Sequence, residues 1–333
     1  MLFGKYEFQC SFKSDAILPY FKGSTFRGVF GRALKQVVCA LKRQECEQCL
    51  LKRQCVYALV FETSESLTMP EGLRMASPPH PYVIESPLTI QTQFREGDAF
   101  DFSLLLFGEV NKSLPYFIYA FDQMGSIGIG KRINGRRGQF VLEAVKHKGK
   151  CIYSNADQKL KHPESLDDLY VPENTGCPDD TYRVKIILET PLRIKFENHL
   201  NADLPFHVLI RAALRRVSSL SACYGSGEPE IDYRGLVKSA QSVRIVDADL
   251  KWFDWRRYSL RQDQEMLMGG MVGSVTYEGS LEVYIPLLEF CEQVHLGKQT
   301  AFGLGKVKMN MESPRKNIEY RMSNVQYRRV EKE

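Results

Sequence analysis

The chain reads as an α+β protein made of two βαββαβ halves in tandem. Three observations predict this. The order strand, helix, strands, helix, glycine-rich loop, strand runs through the first part of the chain and recurs in the second. Both parts close with the same helix, glycine-rich loop and strand. Within each part, stretches of period-2 alternation are interspersed with stretches of helical spacing, which suits an antiparallel sheet with helices on one face.

The first half opens with YEFQCSFKSDAILPY, which contains an alternating, strand-like stretch. In GSTFRGVFGRALKQVVCAL, Phe26, Val29, Phe30, Ala33, Leu34, Val37 and Leu41 recur at helical spacing, with Ser24 or Thr25 placed to cap the start. VYALVFET and PYVIES read as short strands and DAFDFSLLLFGEV as a longer one. LPYFIYAFDQMG is apolar at helical spacing and ends at Gly125. GSIGIGKRINGRRG then leads into the alternating QFVLEAV. Residues 148–180 are polar and read as a connection.

In the second half, YRVKIILETPLRIKFE is a strand. PFHVLIRAALRRVSSLSACYG is a helix with Phe206, Leu209, Ile210, Ala213, Leu214 and Val217 on one side. Arg211 and Arg215 share another face, one turn apart. AQSVRIVDADLKWFDW and SVTYEGSLEVYI read as strands, LLEFCEQVHLG as a short helix, and KQTAFGLG as a second glycine-rich loop before KVKMNMES. The expected units are 1–147, a linker at 148–180, 181–312, and a polar tail at 313–333.

The 333 residues are 44% hydrophobic and 26% charged, a globular composition long enough for two domains. No apolar run reaches the ~20 residues of a membrane span, and the start lacks a leader pattern, so a cytoplasmic protein is expected. The net charge is only +5, but arginines cluster at 132, 136 and 137, at 211, 215 and 216, and at 256, 257 and 261. Such patches suit a polyanion, or are solvated faces. Trp252 and Trp255 stand beside Arg256 and Arg257, where a base could stack on them. Packing against the sheet is the commoner fate of tryptophan.

Cys39, Cys46, Cys49 and Cys55 are spaced C-x6-C-x2-C-x5-C. Four thiolates at this spacing suit a closed structural zinc site, and an iron–sulfur cluster uses the same ligands. The segment also holds Lys42, Arg43, Glu45, Glu47, Lys52 and Arg53, which is too polar for plain core cysteines. The other five cysteines are scattered and read as inert.

The string SLEVYIPLLEFCEQVHLGKQTAFGLGKV resembles the closing segment of the CRISPR-associated precursor-RNA endoribonucleases, the Cas-six family of the RAMP superfamily. RAALRRVSSL, WFDWRRYSLRQ and MGGMVGSVTYEG resemble the same family's second domain. STFRGVFGRAL, the cysteine segment and GIGKRINGRRGQFVLEAV resemble its cysteine-bearing branch. The resemblance implies a tandem ferredoxin-like (RRM-like) fold in a prokaryotic protein. It implies CRISPR repeat RNA as the partner, with effector or adaptation proteins of the same system. It also implies one cut per repeat without a catalytic metal. In that cut the RNA's 2′-hydroxyl attacks the adjacent phosphate, leaving a 2′,3′-cyclic phosphate and a 5′-hydroxyl.

On this footing Gly297, Gly303, Gly305 and Lys306 are expected at the RNA backbone, with Lys131, Arg132, Arg136 and Arg137 as the first-half counterpart. On spacing alone either loop is equally a tight connection, and neither matches a nucleotide-binding glycine motif. Arg211, Arg215 and Arg216 are expected on phosphates, with Arg27 and Arg32 as helpers on the first helix. The chemistry needs a base, an acid and a cation. His295 and then His199 are the candidate proton carriers, and Lys298 the phosphate stabiliser. The family often places its histidine near the first helix, and that helix has none here. His80, in SPPHPY, reads as a loop residue. The alternative is a RAMP subunit that holds guide RNA without cutting it. A magnesium nuclease is disfavoured, because no acidic cluster suits the ion.

Overall fold

The structure is a computed structural model. It describes residues 1–42, 44–67, 75, 77–161, 163, 165–171, 182–195, 202–259 and 264–312.

The first half runs β1 (Leu2–Phe12), β2 (Ala16–Ile17), α1 (Gly23–Val38), α2 (Val56–Phe61), α3 (Thr63–Ser66), β3 (Tyr82–Glu85), β4 (Gln93–Phe94) and β5 (Ala99–Phe107). It continues with α4 (Leu114–Ile127), β6 (Ile129–Ile133), β7 (Arg136–Gly138), β8 (Phe140–His147), β9 (Lys150–Ser154) and β10 (Asp167–Asp168). The main sheet has the order β3-β5-β1-β8-β9, with antiparallel pairing throughout. The strands β3-β5-β1-β8 follow the ferredoxin-like order, in which the first and last strands of a βαββαβ unit are neighbours.

The second half repeats the plan with β11 (Tyr182–Leu192), α5 (Phe206–Tyr224), α6 (Tyr233–Ser239), β12 (Arg244–Ser259), β13 (Gln264–Gly279), α7 (Ile285–Val294) and β14 (Val307–Glu312), in sheet order β12-β13-β11-β14. The chain is therefore two tandem ferredoxin-like domains.

Phe26, Val29, Phe30, Ala33 and Leu34 form the buried stripe of α1, and they pack with α4 on one face of the first sheet. Phe30 stacks on Phe121 at 4.4 Å, and Phe8 on Phe102 at 4.8 Å. The other face of that sheet is buried too. Phe3, Val83, Leu105 and Phe107 belong to the core of the second domain, while Leu104 and Leu106 belong to the first. The unbroken apolar run at the end of β5 thus reflects a strand covered on both sides.

Four expectations change. VYALVFET is helical rather than a strand, because Ala58 and Val60 point inward from a short helix lying against α1. The α1 start is not capped by Ser24 or Thr25; Lys22 occupies that position without a side-chain cap. In SVTYEGSLEVYI only the part up to Gly279 is strand, and Glu282–Tyr284 form a 3-10 turn. The 148–180 linker contributes β9 and β10 to the first sheet as far as Asp168, so that domain runs past residue 147. Residues 172–181 and the 313–333 tail lie outside the described residues.

Candidate nucleic-acid interface

The second glycine-rich loop forms part of the contact between the domains. Gly297, Gly303 and Gly305 all have φ between 74° and 80°. A Cβ on Gly303 would stand 2.4 Å from the Ile84 carbonyl oxygen of β3, and one on Gly305 1.8 Å from that of Leu296. A Cβ on Gly297 would meet the Arg193 carbonyl oxygen at 2.6 Å. These glycines let backbone approach backbone, and that is a packing role rather than the expected phosphate cradle.

His295 follows the same logic. It is fully buried at the end of α7, with φ 62°. Its Nδ1 faces the Leu304 carbonyl oxygen at 3.0 Å and its Nε2 faces Glu85 Oε1 at 3.0 Å. Both ring nitrogens are thus engaged by protein acceptors, and neither is open to a substrate. Burial acts to raise the Glu85 carboxyl. The His295 hydrogen bond and charge, with Lys5 and Lys306, outweigh burial and hold it well below the usual carboxylate range. Lys5 Nζ is 3.0 Å and Lys306 Nζ 3.2 Å from Glu85. The catalytic expectation for His295 is therefore corrected: the side chain has no exposed surface to offer a substrate, and it ties α7 to β3 across the domain contact. Lys306 shares that work through Glu85 and Glu189.

Arg216 is corrected on the same ground. It is buried, its Nη2 donates to the Val294 carbonyl oxygen at 2.7 Å, and its guanidinium lies 5.6 Å over the Phe107 ring. Burial lowers its pKa to about 10.

A different group of side chains has the features of an anion site. Two guanidinium groups lie over the ring of Phe302, in the glycine-rich loop. Arg27 of α1 is 4.5 Å and Arg257 of β12 is 4.9 Å from its ring centroid. Arg27 also lies 4.9 Å over Phe61. Neither arginine pairs with a carboxylate among the described residues, and the Nε of each is buried without a protein partner. Burial and the neighbouring Arg27 lower the Arg257 pKa. Two like charges this close, with no counter-charge, suit a bound anion.

His80, on the loop before β3 as expected, belongs to this group. Arg27 Nη2 is 3.3 Å from His80 Nε2, and His80 Nδ1 is 2.9 Å from Thr63 Oγ1. Thr63 donates to the Leu59 carbonyl oxygen. The chain of donors runs from Arg27 through a neutral imidazole to Leu59. Burial, then the charge of Arg27, lowers the His80 pKa to about 4. Tyr82 is buried beside it with an unpartnered hydroxyl, which burial raises to about 12. In the sequence no spacing links residues 27, 80, 257 and 302. Arg27 is expected there as a helper and Arg257 only as part of a basic cluster, and His80 is brought to α1 by the turn before β3.

Each domain also carries a basic surface. Lys298 is exposed, and its pKa is lowered by burial and by Lys195, Arg193 and Arg215, which places four cations together. Arg211 and Arg215 are exposed on α5. In the first domain, Lys131, Arg132 and Arg136 are exposed on the β6–β7 hairpin and Arg137 is half-buried. Arg32 is exposed on α1, on another side from the buried stripe. His199 lies outside the described residues.

The cysteine segment runs from the end of α1 to the start of α2. All four thiols are half-buried and unpaired. Burial raises the Cys46 pKa, with Lys35 opposing and Cys39 adding to it, so these two thiols are neighbours. Among the described residues no three histidine, cysteine, aspartate or glutamate side chains converge as metal ligands. As placed, the four thiols do not fit a closed tetrahedral site, and no chemistry is routed through a metal.

Residues 186–307 match the family model for the CRISPR-associated endoribonuclease Cas6. The match covers most of the second domain. Residues 1–165 match a second family, AF_1859_N, N-terminal domain. An uncharacterized protein of Archaeoglobus fulgidus is 24% identical over 296 residues, covering 86% of this chain and 91% of the other. Thermus thermophilus Cas6 shares the fold over 93% of this chain and 98% of its own, at 10% identity and a TM-score of 0.51. A chain of a partial Cas6-RT-Cas1–Cas2 complex gives a TM-score of 0.55 at 14% identity over 94% of this chain. This chain spans 46% of that one. At such identities the solved structures show a shared Cas6 fold across both domains. Among the described residues no helix is long and apolar enough to cross a membrane.

Proposed function

We propose that this chain binds CRISPR repeat RNA and cuts it without a metal. The carrying observation is the pair Arg27 and Arg257 at Phe302, two half-buried cations from different domains with no carboxylate partner among the described residues. A phosphodiester there neutralises both guanidiniums, which favours it over a neutral ligand. The basic surface of each domain extends the path of a polyanion.

In the cut, the 2′-oxygen gives up its proton and attacks phosphorus, the bond from phosphorus to the 5′-oxygen breaks, and the leaving 5′-oxygen takes a proton from solvent water, giving a 2′,3′-cyclic phosphate and a 5′-hydroxyl. Arg27 and Arg257 hold the charge that builds on the phosphorane oxygens. His80 is the proposed base. Its neutral Nε2 is the acceptor of Arg27, and it is freed for the 2′-hydroxyl proton when Arg27 turns to the phosphate. The second reading is a subunit that holds guide RNA without cutting. It is favoured by that same contact, since Arg27 occupies the only lone pair His80 offers.

Repeat RNA from the chain's own genome, incubated with the protein in excess EDTA, tests both. We expect cutting, and survival of a copy with a 2′-deoxy nucleotide at the cut. Arg27→Ala and His80→Ala are each expected to slow cutting at least 100-fold, within the usual reach of acid–base and electrostatic groups. Tight binding with no cutting by the wild type selects the holding subunit.

A further inference from the structure

Four aromatic rings lead away from the arginine pair, and nothing in the cleavage reading uses them. Phe253 and Trp255 are alternate residues of β12, so both face the same side as Arg257. They stack at 5.6 Å with an interplanar angle of 22°. Phe21 packs on Trp255 at 4.9 Å, and Tyr20 on Phe253 at 5.6 Å. Trp255 and Phe21 join Met268, Phe302 and Leu304 in a small apolar cluster that touches both domains. The series thus begins at the ring over which the two guanidiniums lie and ends at Tyr20, which is 57% exposed. The Trp255 indole N–H is buried without a partner.

The exposed end is fixed in place by an unusual residue. Lys22 is 1% exposed, and its ammonium donates to the carbonyl oxygens of Thr89, at 2.6 Å, and Tyr20, at 3.3 Å. Burial lowers its pKa. A buried lysine is costly, and its bonds here hold the backbone of Tyr20 against the loop that follows β3.

We propose that Tyr20 and Phe253 form a stacking surface for an unpaired base of the RNA, further along the strand from the phosphate held by Arg27 and Arg257. The proposal rests on the RNA reading above. An exposed ring at one end of a series whose other end meets two guanidiniums, with no carboxylate partner among the described residues, favours a nucleic-acid strand over an apolar protein segment, because the strand brings flat π-faces and negative charges at regular spacing. Stacking is tolerant of base identity, so this surface would position the strand and select for an unpaired nucleotide at that place.

The test uses labelled repeat RNA from the chain's own genome and copies with an abasic residue at each unpaired position around the cut. Binding is measured with the wild type, Tyr20→Ala, Tyr20→Phe and Phe253→Ala, each checked for its fold by circular dichroism. Tyr20→Ala is expected to weaken binding about 10-fold, the size of one base–aromatic stack, while Tyr20→Phe retains affinity. One abasic position should cause the same loss in the wild type and no further loss in Tyr20→Ala. Additive losses at every position, or wild-type affinity in Tyr20→Ala and Phe253→Ala together, overturn the stacking surface and leave RNA binding standing. Failure of the wild type to bind any of these RNAs overturns both readings.

Discussion

His80 shows how a single side chain acquires a role from its surroundings. Its donor chain from Arg27 to Leu59 requires the neutral ring. Folding lowers its pKa from 6.5 to about 4, so between those values the unfolded chain binds the extra proton. The stability it contributes is therefore complete above about pH 6.5 and is lost as pH falls toward about 4. We expect the urea midpoint of the wild type to drop more between pH 7 and pH 4.5 than that of His80→Gln, which cannot take up the proton. Equal drops would remove this coupling. His295 is the converse case, saturated by Leu304 and Glu85 and shut off from solvent. The six histidines look alike in the sequence, and the helix-end context that drew attention to His295 is the context that buries it. Its substitution by alanine leaves Glu85 buried with only its lysines, and we expect a loss of about 3–5 kcal/mol in unfolding experiments. A loss of activity in that variant would report on folding and not on catalysis.

The glycine-rich loop and its flanking helix were legible as elements, and their purpose was not. Period and punctuation place α7, the loop and β14 correctly, because those signals are local. What the loop touches depends on β3, some 210 residues earlier in the case of Glu85 and His295. Gly303→Ala is expected to cost more than about 1 kcal/mol, from its left-handed φ alone, and thermal melting will read it. Gly135→Ala, at similar φ but with open space around its Cβ, is expected to cost only the backbone strain. The α2 segment was misread because VYALVFET is short and apolar, and periodicity does not separate a short buried helix from a strand. The cysteine segment sits at the same limit. Its spacing proposes zinc, while the side chains as placed bring Cys39 and Cys46 together without a third ligand. Metal analysis of the purified chain decides this. The spacing predicts about one zinc, lost in Cys46→Ser/Cys49→Ser. Metal-free wild-type protein would leave the segment as a polar loop.

Taken together, the two domains divide the arginines into two kinds that the sequence placed side by side. Arg215 projects from α5 next to Lys298, Lys195 and Arg193, with Arg211 exposed one turn before it, whereas Arg216 points inward, caps the end of α7 and lies over Phe107 of the other domain. One helical position separates a surface cation from a structural one. If the exposed group carries phosphates, the logarithm of the RNA affinity falls linearly with the logarithm of salt concentration. The slope changes by about 0.7 for each single-strand phosphate contact. Arg211→Ala/Arg215→Ala should flatten that line and weaken binding at low salt, with no change in the melting temperature beyond that of ordinary surface substitutions. Arg216→Ala should do the reverse. It removes the donor to Val294 and the cation over Phe107, so we expect it to lower the melting temperature and leave the slope of the surviving folded protein unchanged. A shallower slope in Arg216→Ala, or an unchanged slope in the double variant, would move the RNA path off α5. The β6–β7 hairpin with Lys131, Arg132 and Arg136 would then be the first place to look, since its cations are exposed on the other domain and pair with no described carboxylate.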